Sequence, residues 1–532
     1  MPAAVKERSG HGGDLAVVRR LRHEAALPAP RTDVPPPRPD RSDRRMTDVV
    51  GKLWGFCHTL RHDGIDYGDY IEQITYLLFL KMAAERGLDL SRVERRAPHG
   101  DPEAMDCSWP ALRAWSGQAL LDRYAEVLRA LDAAPGVLGE IYAGSQPRFK
   151  SPASLRRLVD LIDEVEWTRL GVDIKAAAYE GLLEKAAAEG KKGAGQYFTP
   201  RALIQSIVRC TRPDPRGKPG FAVCDPACGT GGFLVAAWEW LEAEARGALD
   251  RETAERVKAE AFFGHELVAR PRRLALMNLY LHGIEPRIAL GDSLDAPPPR
   301  ERFDVVLTNP PFGTKGAHET PGREDFAIAT ANKQLNFIQH VLTILRPGGR
   351  AAMVLPDSCL FADQAGEVFE ILAAGCDLHT VLRLPRGTFT PYSPGVKANV
   401  VFFTKGRPTE KVWIYDARTS VPSITKKSRP LSPAHFAEFE RCYGDDPDGR
   451  ARREAGSSRE GRFRSLERRE VEEREFKLDG FKWLREESPD DAGELPEPEE
   501  LATDAIQELE EAVAALGRVL ALLEGGAKAA EG

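Results

Sequence analysis

The sequence has few cysteines and no long hydrophobic run, and each scarcity excludes a class of protein. Its 532 residues include 8 Cys, none of them in a C-x-x-C pair. This argues against a disulfide scaffold or a zinc ribbon, and no metal site is expected. The longest apolar run, 74–80, ends at Lys81, well short of the about 20 residues that a membrane span needs. We therefore expect a cytoplasmic protein without a membrane contact.

A net positive charge and a phosphate-binding loop are also missing. The net charge is −7, so the chain is no polycationic nucleic-acid coat, and any nucleic-acid role must be local or shared with a partner. No G-x-x-x-x-G-K-[ST] loop is present, which excludes an ATP-driven motor of that type.

Changes in composition and in the spacing of apolar residues predict four regions. Residues 1–45 are rich in proline and arginine and are expected to be disordered, and Met46 after them is a candidate true start. Apolar residues at helical spacing predict an all-α domain over 46–185. Short apolar runs alternating with amphipathic stretches predict an α/β domain with a doubly wound, mainly parallel sheet over 186–424. A charged region, 425–532, follows.

Seven apolar runs are the predicted strands of that sheet. No helix is evident between the last two, so the sheet is expected to finish with an antiparallel part. The runs are 221–224, 261–264, 287–290, 304–307, 351–355, 380–384 and 400–403.

A heptad pattern marks the C-terminal region. Apolar residues recur at alternating spacings of 3 and 4 within 501–524, which predicts a helix with an a/d seam that needs a partner to bury it. Two partners remain open, the chain's own helical domain and another subunit. The seam residues are Ile506, Leu509, Val513, Leu516, Leu520 and Leu523.

A glycine-rich turn follows the first predicted strand. Glycines between a strand and a helix let the backbone approach a ligand, and the helix N-terminus offers free N–H groups. Ordinary turns also use glycine, so the motif is weak alone. Glu266 and Asp292 end the next two strands, where carboxylates can accept ribose hydroxyls and an adenine amine. The turn residues considered are Asp225, Ala227, Gly229, Thr230, Gly231 and Gly232.

The fourth strand is followed by Asn309, Pro310, Pro311 and Phe312. Two adjacent prolines fix the backbone and remove two amide donors, so the turn presents acceptors. Such a turn fits a planar heterocycle with an exocyclic amine, which Phe312 stacks upon while the Asn309 amide oxygen and the Pro310 carbonyl accept from the amine. A rigid loop with a buried Phe is the structural alternative.

Together these motifs resemble the amino-group DNA methyltransferases that use S-adenosylmethionine. The Gly-Gln-Tyr-Phe-Thr-Pro segment at 195–200, Asn-Phe-Ile at 336–338 and Leu-Arg-Pro-Gly-Gly-Arg at 345–350 narrow the resemblance further. The chain is similar to the modification subunit of a type I restriction–modification system over residues 47–525. The expected fold is that of a class I, Rossmann-like methyltransferase.

The resemblance also implies residue roles. The segment Gln196, Tyr197, Phe198, Thr199 and Pro200 would close over the methionine end of the cofactor, as would the turn from Asp225. Glu266 would hold the ribose and Asp292 the cofactor adenine. The tetrad from Asn309 to Phe312 would be catalytic. A second aromatic that sandwiches the target base would be Phe402 or Phe403, and the choice between them stays open.

The expected target is N6 of an adenine in double-stranded DNA, which would receive the methyl group. Its lone pair is delocalised, so two acceptors that pull on its hydrogens, together with alignment, would promote transfer. The base must be flipped out to be reached. C5-cytosine chemistry usually needs a Pro-Cys pair, which the sequence lacks.

The expected partners are DNA and a specificity subunit that reads the target, with a restriction subunit and a second copy of the chain as further candidates. About 130 residues follow Phe403, which is short for a base-reading domain. The chain would then be cytoplasmic and associated with the nucleoid when on DNA. Three alternatives are a solitary adenine methyltransferase, an enzyme acting on a glutamine amide or a guanine amine, and a non-catalytic scaffold.

A long polar loop, 314–331, follows the tetrad. It is either a gate over the base and DNA or a plain surface insertion. Lys315 and Arg323 are its candidate DNA-facing charges.

Overall fold

The structure is a computed structural model that describes residues 67–95, 103–167, 199–478 and Leu484, apart from short gaps at 246, 296, 298–299, 313–319, 363, 391–394 and 426–427. The predicted head 1–45, the heptad helix 501–524, Lys315 and the cofactor-binding candidates Gln196, Tyr197 and Phe198 lie outside the described residues. No helix in the described ranges is long and apolar enough to cross a bilayer.

The N-terminal domain is helical, as the apolar spacing predicts, with one small β-hairpin in addition. Tyr76, Leu77 and Phe79 are fully buried on its first helix, which explains the hydrophobic sequence there. Ser151 begins the last helix by accepting from the Ser154 N–H, the usual role of serine at an N-cap. The elements are α1 Tyr67–Glu85, β1 Val93–Arg95, β2 Glu103–Met105, α2 Trp109–Arg113, α3 Gly117–Asp132, α4 Val137–Tyr142 and α5 Pro152–Asp163.

A nine-stranded sheet with helices between its strands forms the second part of the described chain. The strand order is β11-β10-β8-β9-β7-β6-β3-β4-β5. The strands are β3 Val223–Asp225, β4 Phe262–Glu266, β5 Arg287–Leu290, β6 Phe303–Thr308, β7 Leu345–Pro356, β8 Cys376–Arg383, β9 Ala398–Lys405, β10 Lys411–Asp416 and β11 Phe463–Glu467. The helices are α6 Arg201–Thr211, α7 Gly232–Ala245, α8 Arg251–Glu260, α9 Ala269–Leu281, α10 Lys333–Ile344, α11 Ala365–Gly375, α12 Ala437–Tyr443 and α13 Arg468–Glu472.

The sheet is doubly wound and mainly parallel. β3 pairs in parallel with β4 and β6, and β4 with β5, so the chain reverses direction across the sheet at β3. β9 inserts between β7 and β8 and is antiparallel to both, which confirms the expected antiparallel finish. The carboxyl ends of β3, β4, β5 and β6 therefore lie along one edge, where such sheets bind ligands.

The charged region after residue 424 contributes to this fold as far as it is described. β11 pairs with β10 in antiparallel register, and neither strand was predicted. α12 is fixed by the Arg209–Glu440 ion pair, whose Nη2–Oε1 distance is 2.7 Å. Phe439 and Tyr443 on α12 are fully buried against the sheet. This charged segment therefore forms a folded extension of the catalytic domain, which its composition did not suggest.

Candidate active site

The glycine-rich turn wraps around the end of β3. Gly229 and Gly231 have φ values of 52° and 79°, a left-handed conformation that favours glycine. The Cys228 N–H donates to the His265 carbonyl, and the Gly229 N–H donates to Glu266 Oε2 at 2.9 Å. The turn is thereby tied to β4, and its backbone faces the sheet edge.

Two more carboxylates meet the turn at the same edge. Glu266 Oε1 accepts from the Val268 N–H at 2.9 Å, so both oxygens of this side chain are held by the backbone. Asp292 Oδ1 accepts from the Leu294 N–H at 2.8 Å. The next residue, Ser293, donates its hydroxyl to the Pro226 carbonyl at 2.6 Å, which links the end of β5 to the turn.

Burial shapes the acidity of this edge. Burial raises the pKa of Asp225 to about 7, and the charge of Glu266 acts in the same direction. Burial also raises the pKa of Glu266, against the hydrogen bonds from Val268 and Gly229. Carboxylates buried close together are suited to a positively charged ligand.

The tetrad stands at the end of β6. The Asn309 Nδ2 group donates to Thr199 Oγ1 at 2.9 Å, while Asn309 Oδ1 is buried and has no hydrogen-bond partner within the described chain. Gln334, in the first turn of α10, donates its Nε2 to the Pro311 carbonyl at 2.7 Å. The diproline turn is therefore held from two sides, by α10 and by the segment before α6.

The glycine-rich turn, the strand-end acids and two residues of the tetrad line one cavity of about 220 Å³. Gly231, Pro310 and Phe312 belong to the same turns but are not part of its wall, and Pro200 stands beside it at the start of α6. Lys333 and Phe337 line it as well, although the sequence did not single out Lys333. The predicted residues in the wall are Thr199, Asp225, Ala227, Gly229, Thr230, Gly232, Glu266, Asp292, Asn309 and Pro311.

The aromatic partner of Phe312 is Phe389. Their ring centroids are 5.6 Å apart and the rings are perpendicular. Phe389 lies in the loop between β8 and β9, behind Gly387, whose φ is 73°. A Cβ at Gly387 would stand 2.3 Å from the Ile424 carbonyl oxygen, so this tight turn requires glycine.

Phe402 and Phe403, the residues predicted to stack on the target base, do not line the cavity. Both are in the middle of β9, which is covered on both faces, and they are 1% and 0% exposed. Phe402 packs on Tyr443, with ring centroids 5.2 Å apart, and Phe403 belongs to the hydrophobic core. Phe389, in the loop after β8, contacts the Phe312 ring and is 4% exposed.

Arg323 is a buried structural residue, so it is not the exposed charge of the predicted gate. It donates through Nε and Nη2 to Asp325, and through Nη1 to the Ser293 carbonyl at 3.0 Å. Gln339 exchanges two hydrogen bonds of 2.9 Å with the backbone of Ile328. The described part of the loop is thereby fastened to α10 and to the end of β5.

Cys228 also lines the cavity, in surroundings that disfavour its thiolate. Burial raises the pKa of its thiol well above the ordinary value, and the neighbouring Asp225 and Glu266 raise it further. The thiolate, which is the reactive form of cysteine, is thereby suppressed.

Comparison with known proteins agrees with this architecture. The N-6 DNA Methylase family matches residues 171–491, and the HsdM N-terminal domain matches residues 49–165. The StySJI type I restriction enzyme methylase subunit of Salmonella typhimurium is 36% identical over 528 residues, covering 91% of this chain and 96% of the relative. The EcoKI methylase subunit of Escherichia coli is 36% identical over 520 residues, covering 89% and 94%.

A solved structure is similar as well. The crystal structure of a type I modification subunit from Vibrio vulnificus is 25% identical, with a TM-score of 0.59. The similarity covers 80% of this chain and 93% of that subunit, so it spans the helical domain and the sheet together.

Proposed function

This chain belongs to the N-6 DNA methylase family, among the methylase subunits of type I restriction enzymes, and we propose that it methylates N6 of adenine in double-stranded DNA. The methyl donor of this class I family is S-adenosylmethionine, which supplies an electrophilic methyl group on a sulfonium. The observation that carries the proposal is the cavity at the sheet edge. Its wall combines the turn after Asp225, two strand-end acids and Asn309.

The cavity suits a cationic cofactor. Asp225 and the turn to Gly231 bind the methionine end, because a buried carboxylate there can accept from its ammonium group. Glu266 accepts the ribose hydroxyls and Asp292 the adenine amine. The Gly229 N–H, by holding Glu266 Oε2, orients that carboxylate toward the cavity.

Asn309 and its neighbours handle the target base. Asn309 Oδ1 and the Pro310 carbonyl would accept hydrogen bonds from the N6 amine and draw its lone pair toward the methyl group. As the N6–carbon bond forms, the carbon–sulfur bond would break to leave a neutral thioether, and one N6 proton would pass to solvent. These acceptors stabilise the charge that develops on N6 during transfer. We expect this step to need no strongly basic side chain, and Gln334 supports the turn by donating to the Pro311 carbonyl at 2.7 Å.

The base reaches this pocket by leaving the duplex. Phe312 and Phe389 provide the aromatic surfaces that receive it, since flipped bases are held by stacking. The two rings now contact each other edge to face, so base entry must separate them.

Sequence readout is assigned to a separate specificity subunit. The net charge of −7 supports this division, because a partner must supply much of the phosphate-binding charge. The heptad helix 501–524 would dock that subunit, since its a/d seam needs another helix. A restriction subunit would join the complex for cleavage.

The test is methylation by the purified full-length chain with and without the specificity subunit of its own system. We expect N6-methyladenine in a split, two-part motif only when both are present. Asn309→Ala in the complete complex should lower turnover by about 10²–10³-fold, the usual loss for one oxyanion-type partner. A chain ending at residue 500 should retain cofactor binding by calorimetry but fail to assemble.

Two results would overturn the proposal. Robust site-specific methylation by the chain alone would identify a solitary enzyme that reads its own site. Undiminished transfer by Asn309→Ala would remove the tetrad from the chemistry.

A further inference from the structure

The proposed function brings DNA phosphates to the mouth of the base pocket. When a base is flipped, only the base enters the pocket, so the phosphates of that nucleotide stay in the continuous strand outside it. The whole chain carries a net charge of −7, which opposes the approach of DNA. Positive side chains that hold this strand should therefore lie locally, around the aromatic pair beside the tetrad.

Phe389 belongs to a loop whose two stems, 385–390 and 395–397, leave the sheet at the edge that carries the tetrad. β9 is antiparallel to both β7 and β8, and β7 is parallel to β6, so the carboxyl ends of β6, β7 and β8 share that edge. The Phe389 ring contacts Phe312 of the tetrad, with centroids 5.6 Å apart. The loop therefore borders the place where a flipped base would enter.

Each stem carries one exposed cation. The Leu384 N–H donates to the Ala398 carbonyl at 3.0 Å, which joins the bases of the two stems. Arg386 is exposed two residues after Leu384, and Lys397 is exposed directly before Ala398. Among the described residues, none forms an ion pair with Lys397. The two cations thus stand on opposite stems, one before and one after Phe389 in the chain.

The backbone of both stems is fixed where these cations stand. The Arg386 carbonyl accepts from the Ile424 N–H at 2.8 Å, and the Lys397 carbonyl accepts from the Asp357 N–H at 2.8 Å. A surface that is already ordered loses less conformational entropy when a ligand binds. The two positions are therefore suited to hold a ligand at a defined separation.

A buried arginine braces the bases of the stems. Arg418 is 4% exposed and donates through Nε to the Leu384 carbonyl at 3.0 Å and through Nη2 to the Ala398 carbonyl at 2.7 Å. Its Nη1 group binds Asp357, whose other oxygen accepts from Asn399 Nδ2 at 2.7 Å. The carboxylate that directly follows β7 is thereby paired, so its charge opposes an approaching phosphate less than that of an unpaired acid would.

We propose that Arg386 and Lys397 form a phosphate clamp, which binds backbone phosphates of the strand that carries the flipped adenine. The inference rests on the methyl-transfer function and adds to it the surface that holds the DNA. Phosphate contacts position a duplex but do not read its bases, so the clamp leaves sequence choice to the specificity subunit. An acidic segment of a partner protein is the competing occupant, and the experiment separates the two.

The test measures the DNA affinity of the complete complex against salt concentration for Arg386→Gln and Lys397→Gln. Each lost phosphate contact should reduce the slope of log K against log salt by about 0.9 in magnitude. Each variant should therefore bind a target duplex about three- to tenfold more weakly at 0.1 M salt and match the unmodified complex near 1 M salt. The loss should be equal for target duplexes with different flanking bases.

Turnover and charge-conserving variants show whether the effect belongs to the clamp. With saturating DNA at low salt, both glutamine variants should keep kcat within about twofold, since only binding is weakened. Their Kd for S-adenosylmethionine should also stay within about twofold, because neither side chain lines the cavity. Arg386→Lys and Lys397→Arg keep the positive charge and should keep the salt slope.

Lys411→Gln and Arg407→Gln are matched controls at the opposite edge of the sheet. Lys411 begins β10, which is parallel to β8, and Arg407 follows β9, which is antiparallel to β8. Their side chains are 41% and 50% exposed. Each control makes the same change in net charge away from the pocket, and neither should change the salt slope.

Three results would overturn the inference. One is an unchanged salt slope in either glutamine variant at the loop. Another is an equal reduction in the control variants, which would attribute the effect to net charge alone. The third is weaker retention of the specificity subunit with an unchanged slope, which would assign the stems to a protein partner. The methyl-transfer function is judged separately, by Asn309→Ala, which should lower turnover without changing the salt slope.

Discussion

Replacing Phe389 by leucine removes one ring of the pair beside the tetrad. Stacking of a base on an aromatic ring is worth about 1–3 kcal/mol. We therefore expect Phe389→Leu to lower kcat/KM for DNA by about 10–100-fold, with little change in cofactor affinity. Fluorescence of 2-aminopurine at the target position measures base flipping, because the base brightens when it leaves the base stack of the duplex.

Phe402→Leu is the matched control for that change. Phe402 is buried against Phe439 and Tyr443, with ring centroids 5.9 and 5.2 Å away, so its loss should lower the Tm and spare turnover at low temperature. If Phe402→Leu impaired base flipping while Phe389→Leu did not, the assignment of the stacking aromatic to the loop would be wrong.

Asp225 predicts a pH dependence of cofactor binding. Burial raises its pKa to about 7 in the free protein. Below that value the side chain is mostly neutral, and the methionine ammonium favours its ionised form. The Kd for S-adenosylmethionine should therefore rise about tenfold per unit as pH falls below 7, and level off above it. Calorimetry from pH 5.5 to 7.5 measures this.

Proton release on cofactor binding gives an independent test of the role of Asp225. Binding near pH 7 should release a fraction of a proton, so the heat should vary with the ionisation enthalpy of the buffer. Asp225→Asn should bind more weakly and without this variation. A Kd that stays flat across the range in the unmodified protein would rule out a role for Asp225 ionisation.

At the scale of the element, the parallel strands were predictable and the added ones were not. Buried parallel strands such as β6 contain a short apolar run, here 305–307, which stands out in a sequence. β11 carries Arg464 and Glu467 among its five residues, so it looks like charged surface until β10 pairs with it. An edge strand is stabilised by a neighbour far away in sequence, which local pattern does not reveal.

The residues of the candidate site also divide into those that the sequence predicted and those that it did not. Strand-end residues such as Glu266, Asp292 and Asn309 were predictable, because parallel strands bring their carboxyl ends to one edge. The contacts of Thr199 and Phe389 were not, since each joins segments that only the folded sheet brings together. Gln334 was missed because a glutamine in a helix usually faces solvent, whereas here it holds the Pro311 carbonyl.

At the scale of the whole molecule, the helical domain is fastened to the catalytic domain through α9. Arg273 binds Glu72 on α1 and donates to the Ala143 carbonyl at 2.6 Å. Arg272 binds Glu140 on α4 and the Ile288 carbonyl in β5. Both arginines are on α9, which begins three residues after Glu266.

Arg273→Ala should loosen this interface. The change leaves Glu72, which is 19% exposed at its side chain, without its main cation. We expect the free energy of unfolding to fall by about 1–3 kcal/mol, the usual range for a hydrogen-bonded charge. Urea denaturation of the full chain measures this.

The control is Arg251→Ala on α8. Arg251 pairs with Glu255 at the surface, with side chains 91% and 64% exposed, and such pairs contribute about 0–1 kcal/mol. Equal, small losses in both variants would mean that the ion pairs do not stabilise the contact between the domains.

The perpendicular contact of Phe312 with Phe389 bears on how a base would enter between the two rings. A base inserted between two parallel rings needs about 7 Å, two contacts of about 3.5 Å each, whereas these centroids are 5.6 Å apart. If a base stacks between these rings, one of them must turn as the nucleotide arrives, so entry itself would help to discriminate between bases.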